Sequence, residues 1–222
     1  MSHTNKEVSI SILRELLNST TPARDVVHRH GCSYRGFFQS KKAFAGAIPF
    51  ESGLARDALR TFELAPEVTM IVPEPFAFHY EMDGLIRHYT PDYLLFLRDG
   101  RRAVVEVKWQ AEADQPANQL RFDAIGRQIA RANAMFAVLT ERQLRDPVLQ
   151  KNMSLIESHK HLQLSTDIIS KILSSLRHGD QLLGQLTDSI GCQNLVLAAI
   201  GQGILAIDLR RPLTNETKIR RV

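Results

Sequence analysis

The stretch RDGRR at residues 98–102 separates two apolar runs, TPDYLLFL at 90–97 and AVVEVKW at 103–109, and it constrains the fold more than any other feature. An Asp-Gly pair between strand-forming runs supplies the positive φ that a tight hairpin demands, so the runs are expected to be antiparallel neighbours. Three ionisable residues, Asp92, Glu106 and Lys108, interrupt them. Side chains alternate along a strand, which puts Glu106 and Lys108 on one face and Val105 and Val107 on the other. Asp92 begins the partner strand, and closing the hairpin brings it beside them.

Around this hairpin the apolar pattern alternates between helical and strand periods. Val8, Ile12, Leu13, Leu16 and Leu17 form a helical stripe, and residues 28–46, HRHGCSYRGFFQSKKAFAG, follow without clear periodicity, as a loop or arm. The helical period returns in residues 49–68, with Leu54, Ala58, Leu59 and Phe62 on one side and Pro66 closing the helix. Strand-like residues occupy 68–84. After the hairpin, Leu120, Ala124, Ile125 and Ile129 mark another helix, leading into the apolar strand MFAVLTE at 135–141. A helix and then a strand after a hairpin imply a mixed sheet flanked by helices, an α/β core ending near residue 145.

Beyond Pro147, three helical stretches and a final ribbon with a basic tip suggest a small winged-helix-like module. The expected organisation is an N-terminal helix and arm over 1–33, the α/β domain over 34–147 and the winged-helix-like domain over 148–222. In that last domain Leu164, Ile168, Ile172 and Leu176 are expected in the core. Residues 208–222 carry five basic and two acidic side chains, a local positive excess suited to phosphates or to an acidic protein segment.

A chain of 222 residues with 44% hydrophobic and 23% charged residues can bury a real core. Its formal charge of +4 permits an acidic partner such as DNA. Cys32 and Cys192 lie far apart, which indicates neither a disulfide framework nor a cysteine zinc site. His28, His30 and Cys32 lack a fourth ligand at finger spacing and read as part of a polar arm. No apolar stretch approaches the roughly 18 residues needed to span a bilayer, and the N-terminus lacks the apolar region of a signal peptide, so no membrane role and a cytoplasmic location are expected.

Leaving a lone carboxylate in an apolar sheet costs several kcal/mol, so Asp92 and Glu106 must be paired, protonated or bound to a cation. A hard divalent cation held by Asp92, Glu106 and the Val107 carbonyl, with Lys108 nearby, satisfies all of them. Oxygen ligands suit Mg2+ or Mn2+ better than zinc. The chemistry such a site supports is phosphodiester hydrolysis, with the lysine orienting water or offsetting developing charge.

TPDYLLFL followed by VVEVKW resembles the PD-(D/E)xK nuclease motif. The order YRGFFQSKKAFAGAIPFESGLARDAL, VPEPFAFHY, RHYTPDYL, VEVKW and FAVLTE is similar to TnsA-like endonuclease subunits of Tn7-like heteromeric transposases, over roughly residues 34–145. The resemblance implies a restriction-endonuclease-like core and cleavage of the 5′, non-transferred strands at transposon ends. It also implies work alongside a TnsB-like recombinase and a TnsC-like AAA+ regulator that engages the C-terminal region. Carried over, Asp92 and Glu106 would bind metal and Lys108 would be the catalytic lysine.

One position departs from the pattern. The helix before the sheet usually carries a metal-binding glutamate where this chain has Ala55, and a methyl group cannot bind a cation. Either Glu51, one helical turn earlier, reaches the metal through a water, or Ala55 replaces the glutamate and leaves an inactivated nuclease. A turn of about 5.4 Å is a large error for a metal ligand, which favours the second. Arg35, Lys41, Lys42 and Arg56 are the candidate DNA contacts, the first three interleaved with Phe37, Phe38 and Phe44. Gln128 is expected at a solvated helix position and Trp109 packed at the sheet end. Two rivals stand beside this reading: a restriction or resolvase-type nuclease acting alone, and a transposase scaffold without catalysis.

Overall fold

The computed structural model describes residues 10–23 and 35–222. Val8, His28, His30 and Cys32 therefore lie outside the described residues. The chain divides into two units: one holds residues up to Glu63 together with Glu67–Gln143, the other Leu64–Pro66 together with Leu144–Val222. Both contain helices and strands, and the protein is of mixed α/β class. No helix among the described residues is long and apolar enough to cross a membrane.

In chain order the first unit contains α1 (residues 10–16), β1 (Gly36–Gln39), β2 (Ala47–Phe50), α2 (Gly53–Leu64), β3 (Val68–Pro73), β4 (Phe78–Met82), β5 (Leu85–Tyr89) and β6 (Tyr93–Leu97). There follow β7 (Arg102–Val107), α3 (Gln110–Ala113), α4 (Pro116–Arg131), β8 (Met135–Leu139) and α5 (Glu141–Leu144). The central sheet has the order β3-β6-β7-β8. Its first two pairings are antiparallel and β7 with β8 is parallel, so α4 serves as the crossover that parallel neighbours require. Leu94 and Val104 of the sheet pack with Ile125 and Ile129 of α4 and with Leu13 and Leu17. As the periodicity predicts, α2 buries Leu54, Ala58, Leu59 and Phe62.

The hairpin of β6 and β7 forms in the expected sense, Tyr93 opposite Val105 and Leu95 opposite Ala103. Its turn is a three-residue connection: Gly100 N–H donates to Leu97 O, Leu97 N–H donates to Arg101 O, and Gly100 takes φ +86°. The two-residue turn with both central residues at positive φ occurs instead at Asp83 (φ 55°) and Gly84 (φ 72°), which joins β4 to β5. Met82 and Leu85 pair directly across it.

Four local expectations are corrected. Part of the segment read as an arm is the β1–β2 hairpin, with Phe38 opposite Ile48, because alternation over four residues is too short to stand out from sequence. The helix read from Pro49 begins at Gly53, where the Ser52 hydroxyl accepts the Ala55 N–H. Leu120 is exposed because it lies off the buried face of Ala124, Ile125 and Ile129. Trp109 is also exposed, at the start of α3.

The second unit opens with α6 (Pro147–His159), a helix that the sequence reading missed. Its signals are short: Asp146 caps it by accepting the Leu149 N–H, and Pro147 occupies the first turn. Next come α7 (Thr166–Ser175), β9 (Gln181–Leu182), α8 (Leu183–Ile190), α9 (Gln193–Gly201), β10 (Leu205–Ala206) and β11 (Lys218–Arg221). The three short strands form an antiparallel sheet in the order β10-β11-β9. Ile172 and Leu176 are buried with Leu186, Val196 and Ile219, and Leu164 and Ile168 pack against them, as expected of a core stripe.

Candidate functional site

Asp92 stands one residue before β6, Glu106 and Val107 end β7, and Lys108 follows it directly. The antiparallel register that pairs Tyr93 with Val105 brings these residues to one end of the sheet. The Val107 N–H donates to Asp92 Oδ2 at 2.7 Å, and Lys108 Nζ lies 3.5 Å from Glu106 Oε1. The structure thus assembles the three ionisable residues singled out from the sequence.

Their electrostatics are those of a site short of positive charge. Glu106 is only 3% exposed. Burial foremost, and then the Glu106 charge, push Asp92 up to about 7, while the Val107 N–H and Lys108 pull it down. Two carboxylates of like charge at a buried strand end, partly offset by one ammonium, make a donor set that a hard divalent cation fits. Asp92, Glu106 and the Val107 carbonyl are the groups that would hold it. Among the described residues no cluster of three or more His, Cys, Asp or Glu side chains is gathered as metal ligands.

Two neighbours of this site escaped the sequence reading. Tyr89, buried at the end of β5, donates its hydroxyl to Glu106 Oε2 at 2.7 Å. Burial and the Glu106 charge drive the phenol pKa upward, so it keeps its proton and remains a donor. Glu74 follows β3 with φ 37°, its N–H donates to the Asp92 carbonyl at 2.9 Å, and its charge adds to the upward push on Asp92. In the sequence Glu74 is the single polar residue of VPEPF, and Tyr89 sits within the polar stretch RHYTPD.

The remaining candidates are placed as follows. Ala55 lies in the first turn of α2, and Glu51, just ahead of it, pairs with Arg35 at 3.6 Å. Lys41 is exposed, whereas Lys42 turns inward: its Nζ donates to Phe62 O at 2.8 Å, and burial lowers its pKa to about 8. Arg56 lies 3.6 Å from Asp57. Phe37 and Phe44 are both exposed, whereas Phe38 between them in the sequence is half-buried. Gln128 reaches the β4 backbone, donating to His79 O at 3.0 Å.

No protein-family profile matches the sequence, and no curated protein matches it.

Proposed function

We propose that the protein is the metal-dependent DNA endonuclease subunit of a transposase, related to TnsA, that cleaves the 5′ strands at transposon ends. The observation that carries this reading is the convergence of Asp92, Glu106 and Lys108 at one strand end, with the Val107 N–H fixing Asp92. The mixed sheet, with α2 before it and α4 crossing it, fits a restriction-endonuclease-like core. The order α7, β9, α8, α9, β10, β11 fits a winged-helix-like module. In that module α9 buries Val196 to Ile200 and carries no Lys or Arg, which favours protein docking over groove reading.

A bound magnesium or manganese ion would supply Lewis-acid stabilisation of charge on the phosphoryl group. Asp92 and Glu106 would hold it, each with one carboxylate oxygen already engaged, by the Val107 N–H and by the Tyr89 hydroxyl. Lys108 is partly exposed at the edge of the site, where its ammonium would orient a water or offset charge on the phosphate. The TnsB-like recombinase and TnsC-like regulator are the partners of this reading, and DNA phosphates the ligands of Lys41, Arg35 and Arg56.

A scaffold without catalysis is the second reading, favoured by Ala55 and by the lack of a third gathered carboxylate among the described residues. The deciding measurement is nicking of labelled transposon-end DNA by this chain and by Ala55→Glu, each with recombinase, regulator and magnesium. Cleavage by Ala55→Glu alone places the missing ligand on α2, and cleavage by both means that other groups complete the site. Cleavage by neither supports the scaffold.

A further inference from the structure

A second charged site lies at the far end of the same hairpin. The ends of α1 and α4 meet the β6–β7 turn around a cavity of about 580 Å³, lined by Arg14, Asn18, Arg102, Arg131 and Asn133 among others. Among the described residues no carboxylate lines it. Arg102 and Glu106 lie four residues apart on β7, about 13 Å at the usual strand rise, so this cavity is separate from the carboxylate site.

Among the described residues, the guanidinium groups of Arg14 and Arg102 bond to neutral partners. Arg14 Nη2 donates to Arg131 O at 3.2 Å, and Arg102 Nη1 donates to Gly100 O at 2.8 Å. Arg102 Nη2 lies 3.5 Å from Asn18 Oδ1, and its guanidinium carbon sits 4.0 Å from the Phe96 ring centroid. Its Nε is buried with no hydrogen-bond partner. Among the described residues none of the three arginines has an ion-pair partner. Three like charges facing one cavity repel one another, and a polyanion between them removes that cost.

We infer that this cavity is a phosphate-binding site, built by Arg14, Arg102 and Arg131, for a phosphorylated ligand or a DNA backbone phosphate away from the scissile bond. Guanidinium forks match phosphate oxygens in geometry as well as charge. A volume of about 580 Å³ accommodates a phosphate and the group that bears it. The inference stands whether or not the carboxylate site cuts DNA.

The test is calorimetric titration of inorganic pyrophosphate into the full chain in EDTA, so that the cation site contributes nothing. Arg102 stacks on Phe96 and its loss risks the fold, so the variant is the exposed pair Arg14→Gln with Arg131→Gln, with its melting temperature checked against the parent. Saturable binding weakened at least tenfold in the double variant is the expected result. A 20-base-pair duplex then distinguishes the sources. If it displaces pyrophosphate, and the salt slope of its binding falls by about two in the double variant, the phosphate is DNA's. If the duplex does neither, the ligand is a free phosphorylated molecule. Pyrophosphate binding and duplex salt slope both unchanged by the double substitution would overturn the inference.

Discussion

At the residue scale, the candidate site depends on two hydrogen bonds that hold buried carboxylates in place. Tyr89→Phe removes the donor to Glu106 Oε2 and leaves that oxygen buried without it. The expected cost is about 1–3 kcal/mol in denaturant unfolding. Loss of an outer contact to a metal ligand also predicts roughly tenfold weaker manganese binding by calorimetry. Asp92 gives a pH signature. Its folded pKa of about 7 stands above the usual 3.8, so between these values the folded chain holds more protons than the unfolded one. The Asp92 contribution to cation-free stability should therefore be greatest below about pH 4, decline as pH rises, and level off above about 7. Asp92→Asn should remove that decline, read as the difference between the two stability curves.

At the element scale, one glycine sets how closely two helices approach and another turns the chain between two strands. A Cβ on Gly201 of α9 would sit 2.7 Å from Lys160 Cβ and 3.1 Å from Ile156 Cγ2, at the end of α6. Gly201→Ala should destabilise the second unit by about 1–3 kcal/mol through overpacking, measured by urea unfolding. Gly100 is different, because a Cβ there meets nothing within 4 Å and only its φ of +86° resists substitution. Gly100→Ala is expected to cost about 1–2 kcal/mol by the same measurement. The two Asp-Gly pairs carry a related lesson: the same dipeptide makes a two-residue turn at Asp83 and a three-residue one at Asp99. Strand pairing outside the turn chooses between them.

At the scale of the whole molecule, the carboxylates belong to the first unit and the exposed basic residues Arg210, Arg211, Lys218, Arg220 and Arg221 to the second. Manganese should raise hydrogen-exchange protection around Asp92, β6 and the end of β7, and leave α6 to α9 unchanged. Exchange followed by mass spectrometry at matched pH checks this, and a uniform rise over both units would contradict a site confined to the first. Within the second unit, Asn152 of α6 donates to Leu209 O at 2.9 Å and to Arg211 O at 2.8 Å. That buried amide fixes the base of the basic ribbon, a link of more than fifty residues that no local pattern in the sequence announces.

What the sequence determined by itself is whatever depends on near neighbours along the chain. Period-two alternation in AVVEVKW placed Glu106 and Lys108 on one face, Gly100 turned the hairpin, and helical stripes marked the buried sides of α2, α4 and α7. Asp92 joined them because one short turn sets the register of the whole pair. The tertiary structure alone decided what touches that set from other elements. Tyr89 reaches Glu106 because β4 and β5 fold beside the core, and Glu74 reaches Asp92 because β3 ends next to β6. Lys42 turns inward only because the end of α2 presents the Phe62 carbonyl to it. Arg14, Arg102 and Arg131 share a cavity because α1, β7 and α4 converge there. These contacts join residues 17 to 117 positions apart, where the periods of helix and strand carry no information.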